Sequence, residues 1–231
     1  MRARFLAGVG LVGLMAALSL APAASADTAT IGAAAPSSAV LTTGSPSFVA
    51  IQTATDPASP SYVVPQVPTG AGPWTVTSWG AMGGTGDDSA SLEVWRPTST
   101  SGEFRLIAIG PGQAFPSGAL TSHSVNIPVL PGDHLGILTG PDSNFGPQYS
   151  SGLTGDVWIG PHPSPAVGQT AGAPSSDFYP DYSGSTFRVN VQATLTSTPA
   201  VAAPVKKKCK KKKHKRSAQS AKKKCKKHKK K

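Results

Sequence analysis

The chain has 231 residues, with 22 Lys and Arg against 11 Asp and Glu, a formal net charge of +11, and two cysteines. The average hides two opposite bodies. Seventeen of the basic residues lie within 206–231 beside no acid, whereas Asp27 to Ser197 holds three arginines, no lysine and all eleven acids, leaving that stretch at −8. A domain that gripped nucleic acid would carry its cations on its own surface, so this layout argues against such a role for the body.

Residues 1–26 read as an export signal. Arg2 and Arg4 precede an apolar run from Phe5 to Ala21, and Ala24-Ser25-Ala26 supplies a small-x-small site with cleavage expected before Asp27. The run is close to the ~17 residues needed to span a bilayer, and its glycines and the Ala-x-Ala site favour removal over retention as an anchor. No later stretch is long and apolar enough to form a transmembrane helix, so the expected localisation is secreted or associated with the cell envelope.

After a lead-in at 27–36, residues 37–197 read as one all-β domain, ample for a single hydrophobic core. Expected strands are Phe48–Thr55, Tyr62–Val64, Trp74–Met82, Ser91–Arg96, Glu103–Ile109, His123–Leu130, Leu135–Leu138, Asp156–Ile159 and Thr186–Thr196. Gly- and Pro-rich breakers separate them. Short strands with frequent turns predict a single antiparallel β-sandwich of jelly-roll type. Val125 to Leu138 reads as a hairpin turning at Pro131-Gly132-Asp133, set in the middle of a sheet. In Thr186–Thr196, Phe187, Val189, Val191, Ala193 and Leu195 alternate with polar residues. This predicts one buried face and one wet face, with Phe48–Thr55 as the expected neighbour.

The body offers few groups with a chemical signature. His123, His134 and His162 fall in no nucleophile-elbow, zinc-helix or phosphate-loop motif. Asp87 and Asp88 lie in a glycine-rich loop whose oxygens suit Ca²⁺, although Asp in such loops commonly bonds its own backbone. No cofactor or metal is assigned. Strict alternation places Trp79 opposite Trp74 and Val76, and Trp95 opposite Leu92 and Val94. These two rings could face outward as a platform stacking on sugar rings, or belong to a core covered on both faces.

Residues 198–205 form a Pro/Ala linker. In the tail beyond it, Lys206, Lys207, Lys208, Lys210, Lys211, Lys212, Lys213, Lys215 and Arg216 make one basic unit. Lys222, Lys223, Lys224, Lys226, Lys227, Lys229, Lys230 and Lys231 make a second. Like charges at this density repel at every helical spacing, so the tail is expected to be disordered, reaching up to ~85 Å. Its partners by chemistry are anionic cell-wall polymers or an anionic lipid surface; nucleic acid would compete for the same lysines without sequence preference. Cys209, His214, Cys225 and His228 make a Cys2His2 set, but no apolar residue is present to build a finger around it. In an exported chain Cys209 and Cys225 are disulfide candidates, within one tail or between two.

The Ala-x-Ala signal, the lysine-free β-rich body and the tail Lys-Lys-Lys-Cys-Lys-Lys-Lys-Lys-His-Lys-Arg-Ser-Ala resemble a group of uncharacterised exported proteins of high-GC Gram-positive bacteria. The resemblance implies compartment and architecture and brings no activity. The reading from sequence is therefore an exported, non-enzymatic β-sandwich retained at the envelope by its tail. The alternatives are a carbohydrate-binding module using Trp79 and Trp95, and an exported hydrolase whose acids converge in space.

Overall fold

A computed structural model describes residues 25–42, 49–53, 60–85, 88–140, 144–153, 157–160, 166–172 and 186–199. Within them the chain is all-β. The strands in chain order are β1 (Thr28–Ala33), β2 (Leu41–Thr42), β3 (Val49–Gln52), β4 (Trp74–Met82), β5 (Asp88–Pro97), β6 (Glu103–Ile109) and β7 (Gln113–Phe115). There follow β8 (Leu120–Val129), β9 (His134–Thr139), β10 (Gln148–Ser150), β11 (Val157–Gly160), β12 (Thr170–Gly172), β13 (Phe187–Val189) and β14 (Val191–Ser197). Among the described residues no helix is long and apolar enough to cross a membrane.

The strands build three antiparallel sheets: β1-β14-β4-β8, then β11-β3-β9-β5-β6-β12 with β7 also on β5, and a small sheet β13-β10-β2. The two large sheets share one buried cluster. Val76, Trp79, Ala193 and Leu195 from the first meet Ala50, Leu92, Val94 and Ile137 from the second, as in a sandwich. Burying each large aliphatic side chain contributes roughly 1.5–3 kcal/mol, and this shared core is what the alternating strands exist to fill.

The bounds of β4 and β6 agree with expectation, because Gly and Pro punctuate both ends of each, Pro73 and Gly83 for β4, Gly102 and Gly110 for β6. Four expectations are corrected. The segment 125–138 is not a hairpin within one sheet: β8 pairs with β4 and β9 with β3 and β5, so Pro131-Gly132-Asp133 carries the chain from one sheet to the other. The turn is held from several sides. Gly132 takes a φ of 89°, open to glycine at little cost. Leu130 N donates to Asp133 Oδ2 at 2.8 Å, and Arg96 forks the same carboxylate through Nε and Nη2 at 2.6 and 2.9 Å. Tyr62–Val64, expected as a strand, reduces to a single bridge, Val63 to His134, beside this turn.

The last strand does not neighbour 48–55. β14 lies between β1 and β4, and β3 belongs to the opposite sheet. Its missing partner is the segment 27–36, which holds β1 and is part of the sheet rather than a lead-in. Threonine, alanine and glycine gave that strand little apolar contrast in sequence, yet Ile31 is buried and Ala29 packs on the main core. The Lys-rich tail, with Cys209 and Cys225, lies outside the described residues.

Candidate functional site

Both tryptophans proposed as a platform are buried: Trp79 is 1% exposed and Trp95 is fully covered. Their reasons differ. Along β4 the pairing shifts register against both neighbours between Val76 and Ser78. Buried positions therefore run Trp74, Val76, then Trp79 and Ala81, instead of continuing at every second residue. One irregular step at Thr77 moves Trp79 onto the core face, the effect that any one-residue slip has on a period-two strand. There Trp79 tilts against Phe115 at 5.2 Å and lies 6.2 Å from His123. Its Nε1 has no hydrogen-bond partner among the described residues.

Trp95 does lie on the face opposite Leu92 and Val94, but that face is covered too. It packs with Val49, Ile51, Phe104, Leu106 and Ala171 in a second buried cluster. The ring lies against Gly136 of the adjacent strand, where a Cβ would come within 2.9 Å of the indole. Trp95 Nε1 donates to Glu93 Oε2 at 2.9 Å, so the polar handle of the ring is spent inside the protein. A stacking surface made of these two residues is therefore ruled out.

The same covered face carries an acid and an imidazole, each beside Trp95. Glu93 of β5 is buried, and His134 of β9 sits opposite Trp95 in register. His134 Nδ1 is 2.9 Å from the carbonyl oxygen of Gln52 and takes the donor role, and its ring meets Phe104 edge-on at 5.2 Å. Burial lowers the His134 pKa below the usual imidazole value, partly offset by the Gln52 carbonyl and the nearby Asp133 charge. His134 is thus a neutral donor that ties β9 to β3, and neither group lines the clefts at Met82–Gly84 or at Ser89–Ser91. His123 is half-buried on β8, with Nε2 3.2 Å from the Ala114 carbonyl.

Two polar residues of the final strand pair depart from the expected wet face. Asn190 is buried and makes four bonds: Nδ2 donates to the carbonyls of Met82 and Gly146, and Oδ1 accepts from Met82 N and Ala35 N. This uses the full capacity of one amide to join four chain segments. Arg188, 1% exposed, pairs in register with Tyr149. Burial raises the pKa of Tyr62 and of Tyr149, and the Arg188 charge pulls both back. Tyr62 also donates to the Val189 carbonyl at 2.7 Å. An arginine or asparagine inside a perfect alternation gives no sign of burial, since it occupies the position where a solvent-facing residue would stand.

Two openings among the described residues bear on contact with a partner. One of about 240 Å³ is lined chiefly by Val40, Leu41, Met82, Gly83 and Gly84, and one of about 210 Å³ by Ser89, Ser91, Gly112, Thr139 and Gly140. Their walls are apolar or hydroxyl-bearing, suited to contact rather than to proton transfer. Among the described residues no group of three or more His, Cys, Asp or Glu is placed to hold a metal ion. Asp87, His162 and the side chain of Asp88 lie outside the described residues, as do all seventeen tail cations. The chain matches no family model, no curated protein and no solved structure.

Proposed function

We propose that this chain is exported and held at the cell envelope by its polybasic residues 206–231, the β-sandwich being the body carried there rather than a catalyst. The observation that carries the reading is the partition of charge: seventeen cations without an acid in 26 residues, joined to a body of −8 that contains no lysine. Near an anionic membrane each basic residue contributes about 1 kcal/mol, so engagement of part of the set outweighs the entropy of tethering. An anionic wall polymer acts alike, because every neutralised phosphate releases condensed counterions.

The position of the first strand also supports export. β1 opens at Thr28, one residue beyond the cleavage point expected from Ala24-Ser25-Ala26. The test is cosedimentation with purified envelope over a salt series, the intact protein beside a version ending at Pro204. Retention of the intact protein should collapse as salt rises, and the shortened version should stay in solution. Equal retention of the two, or retention indifferent to salt, would refute the reading.

A further inference from the structure

The bond that an export peptidase would cut is Ala26–Asp27, and its nitrogen already belongs to the fold. Asp27 N donates to Ser197 Oγ at 3.0 Å, and Ser197 N donates back to the Asp27 carbonyl at 2.9 Å. From there β1 runs along β14 without a break, Thr28 opposite Thr196 through Ala33 opposite Val191. Ser197 is buried, and Ile31 anchors the strand in the core. The cleavage point expected from the sequence and the first residue engaged by the sheet coincide at Asp27.

A peptidase binds its substrate as an extended strand, through the main-chain groups flanking the cut. In the docked state both main-chain groups of Asp27 are engaged by Ser197. The apolar run of the leader ends at Ala21, so at most ~20 Å of chain separates a docked Asp27 from the bilayer. That leaves little room for an enzyme between body and membrane. Timing acts in the same direction. The two partners are 170 residues apart, so β1 has nothing to dock on until almost the whole body has emerged.

We propose that leader removal gates the first strand: Ala26–Asp27 is hydrolysed before β1 docks on β14, and docking then closes that position to proteases. The inference rests on the export reading above. In the step, the nucleophile of a leader peptidase attacks the Ala26 carbonyl and the bond to Asp27 breaks. Water then releases Ala26 as a carboxylate, while Asp27 departs as an α-ammonium. That ammonium retains N–H donors for Ser197 Oγ, so the cut terminus docks as the uncut amide does.

The test presents the full chain, Met1–Lys231 in detergent, to a leader peptidase either freshly diluted from urea or after refolding. Cutting between Ala26 and Asp27 is followed by mass spectrometry. The fresh chain should be cut, and the refolded chain cut more slowly by about tenfold or more, since proteolysis follows the population of the open strand. Ile31→Asp, which removes the buried anchor of β1, should restore fast cutting of the refolded chain with native tryptophan emission. If that variant loses its native emission, hydrogen exchange at Ala29 and Ile31 of the uncut wild-type chain decides instead. Protection alongside slow cutting supports gating, and fast exchange alongside slow cutting overturns it. Equal rates for the fresh and refolded chains overturn gating and leave export standing, whereas no cut at this bond in either sample overturns both.

Discussion

His134, which no motif singled out in sequence, proves structural: it follows an aspartate in a Pro-Gly turn, its ring is packed edge-on to Phe104, and its Nδ1 is bound to the Gln52 carbonyl. Burial makes the folded protein bind the His134 proton less readily than the unfolded chain does. Stability from this group is therefore complete above the unfolded value of about 6.5 and is lost as pH falls below it. Replacing His134 with Asn, which keeps a donor near the Nδ1 position and does not titrate, should flatten the fall in stability between about pH 7 and pH 5. Urea midpoints across that range, variant beside wild type, check it; parallel curves would show that other groups set the pH response.

The irregular step in β4 decides which residues belong to the core. Removing Thr77 would take out the one extra residue and leave Trp79 two positions after Val76, still on the core face with Phe115 and His123 in a regular strand. Truncating a buried tryptophan costs about 3–5 kcal/mol, so Trp79→Ala should lose most of its stability, whereas the Thr77 deletion should keep a cooperative unfolding transition. A deletion variant with a urea midpoint as low as that of Trp79→Ala would show that the facing of Trp79 is not set by this step. The same element marks how far sequence reading goes. The Gly and Pro residues that bound β4 and β6 located both to the residue, Pro73 and Gly83 for one, Gly102 and Gly110 for the other. Alternation could not see the shift at Thr77, which exists only relative to β8 and β14. Nor could it see the second cover over Trp95, the sheet-to-sheet passage at Gly132, or strands of two or three residues such as β2 and β7, which pairing rather than composition defines. Of the proposed site residues, the tryptophans were legible as aromatic strand positions, but their exposure was not.

For the whole molecule, the separation of charge from core leads to a simple expectation. The described body closes on its own apolar clusters, and residues 206–231 contain no large apolar side chain that could add to them. A version ending at Pro204 should therefore melt within about 2 °C of the intact protein in moderate salt, where long-range charge effects are screened. A large fall in the calorimetric midpoint would make the tail part of the folded unit. The pairing of Asp27 with Ser197 has one more consequence. Because the first and last residues of the sandwich are hydrogen-bonded neighbours, the body is in effect a ring opened at one point, and the position of the opening is not dictated by its core. A short peptide bridge from Ser197 to Asp27 would complete the circle. The chain could then begin and end at an exposed turn such as the one at Gly102, giving a circularly permuted protein with the same sheets and a different order of synthesis.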